Sequence, residues 1–356
     1  MNERRGFRVD AAIGGIIALL AVLLASSCSR LPSETTPEEY GQEPMVWYVP
    51  KPGEIDPSEV RAEEPGIVVA VIDSGIDRTV PQLERSMWVN EDEIPGNGMD
   101  DDRNGYVDDV NGWDFRDNDN DSLSGSAMHW HGTFVAGIIV QTDSLAVSYV
   151  EQIRIMDLRF LDFKNEFKIL NFNKLIAAID YAVDNGADII NLSIQIYETP
   201  PSGRLEEALN RARYYGVLIV GIAGSAGNGD ILYPGKYASV VAVSALEKDY
   251  TLWKYSNYGY EVEFGAIGVD VESTVPGGAV AKRSGTSFAA PQVTRAAALV
   301  MACNHGLSPL DSLNILRQNA HDIVLQGRDT WSGYGIVDLE TSIAAALGFA
   351  SSITEK

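Results

Sequence analysis

The chain has 356 residues, 45% of them hydrophobic and 22% charged, the balance of a globular protein with a core large enough to need no disulfide stapling. Its 50 acidic and 27 basic side chains leave a net charge of −23, which excludes nucleic acid and anionic lipid surfaces as electrostatic partners, because both would repel it. The same excess of carboxylates suits an exported protein and, where acids cluster, a bound cation.

Arg4, Arg5 and Arg8 precede an apolar run from Ala11 to Ala25, and the small residues Ser26 and Ser27 follow it. This is the layout of a secretory signal, and the run is shorter than the ~20 residues of a membrane span. The segment LLASSCS resembles a bacterial lipobox, with Ala25 where leucine is usual. That resemblance implies cleavage before Cys28 and acylation of its thiol. Ser29 rather than Asp after the cysteine points to the outer membrane or surface of a Gram-negative cell. An ordinary cleaved signal and an uncleaved anchor are the competing readings of the same residues. Residues 29–65 are polar, rich in Pro and Glu and without periodicity, which predicts a tether. Residues 66–349 form the folded body, and 350–356 a short tail.

From Gly66 the pattern changes to alternating strands and helices. GIVVAVIDSGID is a continuous apolar run ending in polar residues, as expected of a parallel strand buried on both faces. Further strands are predicted at Ile153–Phe160, Ala187–Ile194, Val217–Ile222 and Ser239–Ser244. Helical patterns follow His131 and cover Asn173–Asn185, Arg204–Tyr215 and Thr286–Cys303, the last placing Cys303 as a buried free thiol. This alternation predicts an α/β fold with a mainly parallel sheet and helices on both faces. Ligand sites in such folds lie at the carboxyl ends of the strands. No internal repeat is present.

Three segments carry chemistry. Asp73 ends the first strand in VIDSG. His131 lies in HGTFVAGII, where Gly132 and Thr133 can open a helix. Ser287 lies in SGTSFAAPQV, at the first turn of another helix. A serine hydroxyl becomes nucleophilic when an imidazole takes its proton, and the imidazole needs a carboxylate to fix its tautomer. Alone, Asp73 reads as a turn residue and Ser287 as a helix cap. Together, VIDSGID, HGTFVAG and SGTSFAAP, in that order and separated by 58 and 156 residues, resemble the three signature blocks of the subtilisin family. GADIINLSI, YPGKYASVVAVSA, SNYG and GYGIVDL extend the resemblance across roughly Gly66 to Leu347. It implies a three-layer α/β/α fold and a serine endopeptidase. Asp73 would orient His131, His131 would act as general base and acid, and Ser287 would be the nucleophile. No cofactor is implied for catalysis, and a protein or peptide is the implied substrate. His129 lacks the following Gly-Thr and reads as a loop histidine.

Several positions depart from the family pattern. Where the family has an oxyanion-donating asparagine, an ungapped alignment puts Ser225, while Asn228 follows three residues later; both remain candidates. The segment after INL, here Ser193, Ile194 and Gln195, resembles the edge that pairs with substrate, and Gln195 would narrow the specificity pocket. Gln292 and Arg295 replace residues that are commonly His and Gly, and Ala266-Ile267-Gly268 replaces Ala-Pro-Gly. These departures keep a second reading open, a catalytically weak member of the fold that binds peptides or partner proteins at the cell surface. The 37 residues from Ser29 to Pro65 are also short for the folded propeptide common in the family. A monomer is expected.

Between Asp73 and His131 runs GNGMDDDRNGYVDDVNGWDFRDNDNDS. Asp100, Asp102 and Asn104 alternate before Gly105, with the Tyr106 position and Asp109 following, like the first half of a calcium loop that lacks its closing Glu. An all-oxygen set excludes zinc. A solvated acidic turn is the competing reading. Asp114, Asp117, Asp119 and Asp121 form a further acidic group, read either as a second cation site or as a self-repelling loop.

Overall fold

A computed structural model of the chain describes residues 66–122, 129–142, 147–161, 172–197, 203–324 and 326–349. The expected signal and tether over 1–65, with Cys28, and the tail over 350–356 lie outside the described residues.

The run of Val and Ile after Gly66 forms β1, Ile67–Asp73, and its burial on both faces explains why it shows no polar alternation. It pairs in parallel with β3, Ile153–Arg159, and with β4, Ile189–Leu192. Outward from β3 lies β2, Gly112–Asp114; outward from β4 lie β5, Leu218–Ile222, β6, Val241–Leu246, and β7, Val262–Ile267. The order β2-β3-β1-β4-β5-β6-β7 makes one parallel sheet.

Alternate residues of β1 face opposite layers. Val69 and Val71 share one core with Val135 and Ile139 of α2, Trp130–Ile139, and with α6, Thr286–Cys303. Ala70 and Ile72 share the other core with Leu175 and Ile179 of α4, Phe172–Asp184, and Leu205 and Leu209 of α5, Arg204–Tyr214. The fold is therefore the expected three-layer α/β/α arrangement. A short α1, Pro81–Glu84, and α3, Val147–Val150, complete the helices before α6, and α7, Pro309–Gln318, and α8, Leu339–Gly348, follow it. Helix α6 is buried nearly all round, as a helix apolar on every side must be. An antiparallel hairpin, β8, Val271–Thr274, with β9, Val280–Arg283, leads into it.

The predicted strands are present; three are shorter, and that of Ser239–Ser244 is shifted two residues on, to Val241–Leu246. That of Ala187–Ile194 ends at Leu192, because the chain leaves the ladder there and Ile196 pairs instead with Tyr233. Helix α2 begins at Trp130, one residue before His131 rather than after it. His129 is its N-cap, with Nδ1 accepting from the His131 N–H at 3.3 Å, so the residue expected in a loop terminates the helix instead. Cys303 ends α6 as a half-buried free thiol rather than a fully buried one, and burial pushes its pKa up to about 12.

Candidate active site

Asp73 stands at the carboxyl end of β1 with 1% of its surface exposed. His131 faces it from the first turn of α2, with Nδ1 at 2.8 and 3.0 Å from the two carboxylate oxygens. The Ser74 N–H donates to Asp73 Oδ1 at 2.7 Å. Two further bonds join the same segments: Gly132 N–H to Ser74 Oγ at 2.9 Å, and Asp77 N–H to Thr133 Oγ1 at 2.9 Å. The motifs VIDSGID and HGT are thus the two halves of one docking contact. Gly132 is required by distance, since a Cβ there would lie 2.5 Å from the Gly75 carbonyl oxygen and 3.2 Å from Asp73 Oδ1. The Asp77 carboxylate accepts from Thr79 and from the Gly277 N–H; burial raises its pKa, but these bonds outweigh it and hold the group below its ordinary value.

Ser287 is the second residue of α6, half-exposed, and its neighbour Phe288 packs on the His131 ring with centroids 5.6 Å apart. Its position follows from a proline. Pro291, four residues on, has no N–H to give to the Ser287 carbonyl. That carbonyl instead accepts from Ser193 Oγ at 3.0 Å. Ser193 is held by Asn191 Nδ2 at 3.0 Å, and Asn191 Oδ1 accepts from Thr294 Oγ1 at 2.8 Å. Asn191, Ser193 and Thr294 are wholly buried, so this chain of bonds fixes the start of α6 against the end of β4. Ser287 Oγ itself lies 3.4 Å from the Ser193 carbonyl oxygen.

The two oxyanion candidates differ in surroundings. Ser225 Oγ is 2.8 Å from Thr286 Oγ1 and 3.4 Å from the Thr286 nitrogen, at the N-terminus of α6 beside Ser287. Asn228 is exposed in the next turn, with Oδ1 accepting from Asp230 N–H at 3.1 Å and its carbonyl from Tyr258 N–H at 3.1 Å. Asn257 braces this loop by accepting from Ala226 N–H at 2.8 Å and donating to the Asp230 carbonyl at 2.6 Å. Gln195 lies across the gap between the ends of β4 and β5: its Oε1 accepts from Ser225 N–H at 3.0 Å and its Nε2 donates to the Tyr197 hydroxyl at 2.8 Å. Ile194, by contrast, is 1% exposed and belongs to the core, so only its backbone is available to a ligand.

In the acidic insertion, Glu93, Asp100 and Asp102 each offer an oxygen within 4.8 Å of the others. Glu93 has no place in the spacing template and was not legible from it. Its Oε1 also accepts from the backbone N–H groups of Asp101 and Asp102, at 2.8 and 3.3 Å, folding the loop around itself. Asp109 is fully buried and committed elsewhere, accepting from Asn90, Asn104 and Tyr181. Asn104 Oδ1 accepts from Tyr106 N–H at 2.8 Å. The Tyr106 ring packs edge-on against Trp113, Phe115 and Tyr181, which leaves its carbonyl rather than its side chain for a ligand. Asp114 and Asp117 both pair with Arg159, which partly neutralises the further acidic group.

The model of the subtilase family matches residues 64–335. A thermophilic serine proteinase of Bacillus sp. strain AK1 is 32% identical over 278 residues, 77% of this chain and 60% of that protein, so this chain spans less than two thirds of its length. Subtilisin Savinase of Lederbergia lenta is 31% identical over 279 residues, 78% of this chain and 90% of that protein. Among solved structures, a lanthipeptide protease is similar with a TM-score of 0.64 at 26% identity, covering 79% of this chain and 90% of that one.

The bond from Ser193 to the Ser287 carbonyl can be tested by a mutant cycle. Ser193→Ala leaves a buried acceptor unpaired, which costs roughly 1–3 kcal/mol. Pro291→Ala in the same chain restores an N–H that reaches this carbonyl and recovers part of the loss. Thermal denaturation of the single and double variants reads the coupling; equal losses from Ser193→Ala in both backgrounds would contradict it.

Proposed function

The chain belongs to the subtilase family, and on that footing we propose that it is a serine endopeptidase acting through an acyl-enzyme on Ser287. The observation that carries this reading is the buried Asp73–His131 pair at the carboxyl edge of the sheet, with Phe288, next to Ser287, packed on the imidazole. Asp73 holds Nδ1 protonated, so that Nε2 is the basic nitrogen. His131 takes the proton of Ser287 Oγ as the oxygen bonds to the scissile carbonyl carbon. It then gives the proton to the leaving amine as the C–N bond breaks. Water, activated by the same imidazole, releases the acyl group and restores Ser287.

The developing oxyanion needs donors. The N-terminal N–H groups of a helix lack intrahelical partners, and the Ser287 N–H is one of these. Ser225 supplies the second donor in this reading, in preference to Asn228. If Thr286 Oγ1–H donates to Ser225 Oγ, the Ser225 proton is free to turn to the oxyanion. Gln195 bridges the gap beside Ser225, which supports a pocket for a small side chain before the scissile bond.

Calcium fits the acidic loop by the chemistry of its donors, which are all hard oxygens. Glu93, Asp100 and Asp102 would hold it, with Asn104 and the Tyr106 carbonyl near and Asp109 bracing the loop. Bound calcium would offset the repulsion among these carboxylates. The basic, apolar and lipobox segments ending at Cys28 support an exported, lipid-anchored protein on the outer membrane or surface of a Gram-negative cell, acting there as a monomer on peptides or proteins.

Two measurements follow. A fluorophosphonate probe is expected to label the wild type and to leave Ser287→Ala unlabelled; an unlabelled wild type, or equal labelling of both, would favour the peptide-binding alternative. Removing calcium with a chelator should lower the thermal midpoint by several degrees, and readdition should restore it; an unchanged midpoint removes the cation from the acidic loop.

A further inference from the structure

Beside Trp130, the residue before His131, stands a group that the mechanism does not use. Arg283, the last residue of β9, is exposed, and its guanidinium lies 4.7 Å from the centre of the Trp130 ring. Trp130 immediately precedes His131, with ring centroids 5.6 Å apart, and is 6.1 Å from Phe288. In a chain of net charge −23, the adjacent cation Lys282 is engaged with Glu272. Among the described residues no carboxylate pairs with Arg283, whose Nη1 donates only to the Lys282 carbonyl at 2.9 Å. A guanidinium held over an aromatic face still has N–H groups to offer, and its planar fork suits a carboxylate.

The chemistry gives this cation a direction relative to the substrate. The general acid must reach the departing nitrogen. The segment that leaves therefore passes over His131, and so over Trp130 and Arg283, while Gln195 and Ser225 face the acyl portion. Resting on the peptidase reading above, we propose that Arg283, stacked on Trp130, is a specificity-determining residue that selects an acidic side chain on the substrate just after the scissile bond. Its role is to bind; it neither transfers a proton nor touches the reacting carbonyl.

The test is cleavage of a sequence-diverse peptide library by the purified protein, with the new N-termini read by mass spectrometry and Ser287→Ala as the blank. The wild type is expected to enrich Asp and Glu at the first or second residue after the cut, with about a tenfold preference for Glu over Gln, the scale of one partly exposed charge-assisted contact. Arg283→Gln should abolish that preference and Arg283→Glu should turn it toward Lys and Arg. Arg283→Lys, which keeps the charge but loses the planar fork, should retain it in weaker form. Cleavage by the wild type without acidic enrichment, or a preference unchanged in Arg283→Glu, overturns the inference while leaving the peptidase reading intact. An absence of Ser287-dependent cleavage overturns both.

Discussion

A carboxylate that is only 1% exposed is costly unless its oxygens are satisfied, and the way Asp73 is satisfied organises the rest of the site. Its two oxygens are taken by His131 Nδ1 and the Ser74 N–H, so the imidazole can neither rotate nor change tautomer without leaving the charge unpaired. To bring His131 that close, α2 must press its first turn against the end of β1. That approach needs a glycine at 132 and is pinned by Ser74 and Thr133. Packing then passes the constraint to α6, because Phe288 lies on the same imidazole.

The position of Ser287 is set independently, from beneath. Pro291 frees the Ser287 carbonyl, and the chain from Thr294 through Asn191 to Ser193 supplies the missing donor. Two rigid systems, one hung from β1 and one from β4, therefore meet at the serine. Since β1 and β4 are adjacent in the sheet, the distance between them is fixed by ladder hydrogen bonds. The variable parts lie on either side of this meeting point: Gln195 reaching to Ser225, and Arg283 resting on Trp130.

Much of this was legible in the sequence because it is local. Long apolar runs gave β1, β3 and β5, and short motifs at strand ends gave Asp73, His131 and Ser287. Other features were hidden by their brevity or by pairing across the chain. Strand β2 is three residues long. Strand β7 carries Glu263, a charge that reads as surface but is paired with Arg317 and Arg328. Helix α7 did have a readable signal, since Ser308 and Asp311 form a capping box with Pro309 at the first turn. Glu93 joins the acidic cluster only through the folding of its loop, and Arg283 meets Trp130 only because the β8–β9 hairpin leans on α2; no spacing rule anticipates either.

The chemistry at Ser287 depends on the Asp73 carboxylate holding His131, so the most direct measurement is the rate of Ser287 acylation as a function of pH in the wild type and in Asp73→Asn. An asparagine keeps the shape but can present its amide to Nδ1, leaving the proton on Nε2, where it faces Ser287. The expected result is a loss of about 10⁴-fold at neutral pH with the thermal transition still cooperative. An acylation rate within about tenfold of the wild type across the pH range would contradict it.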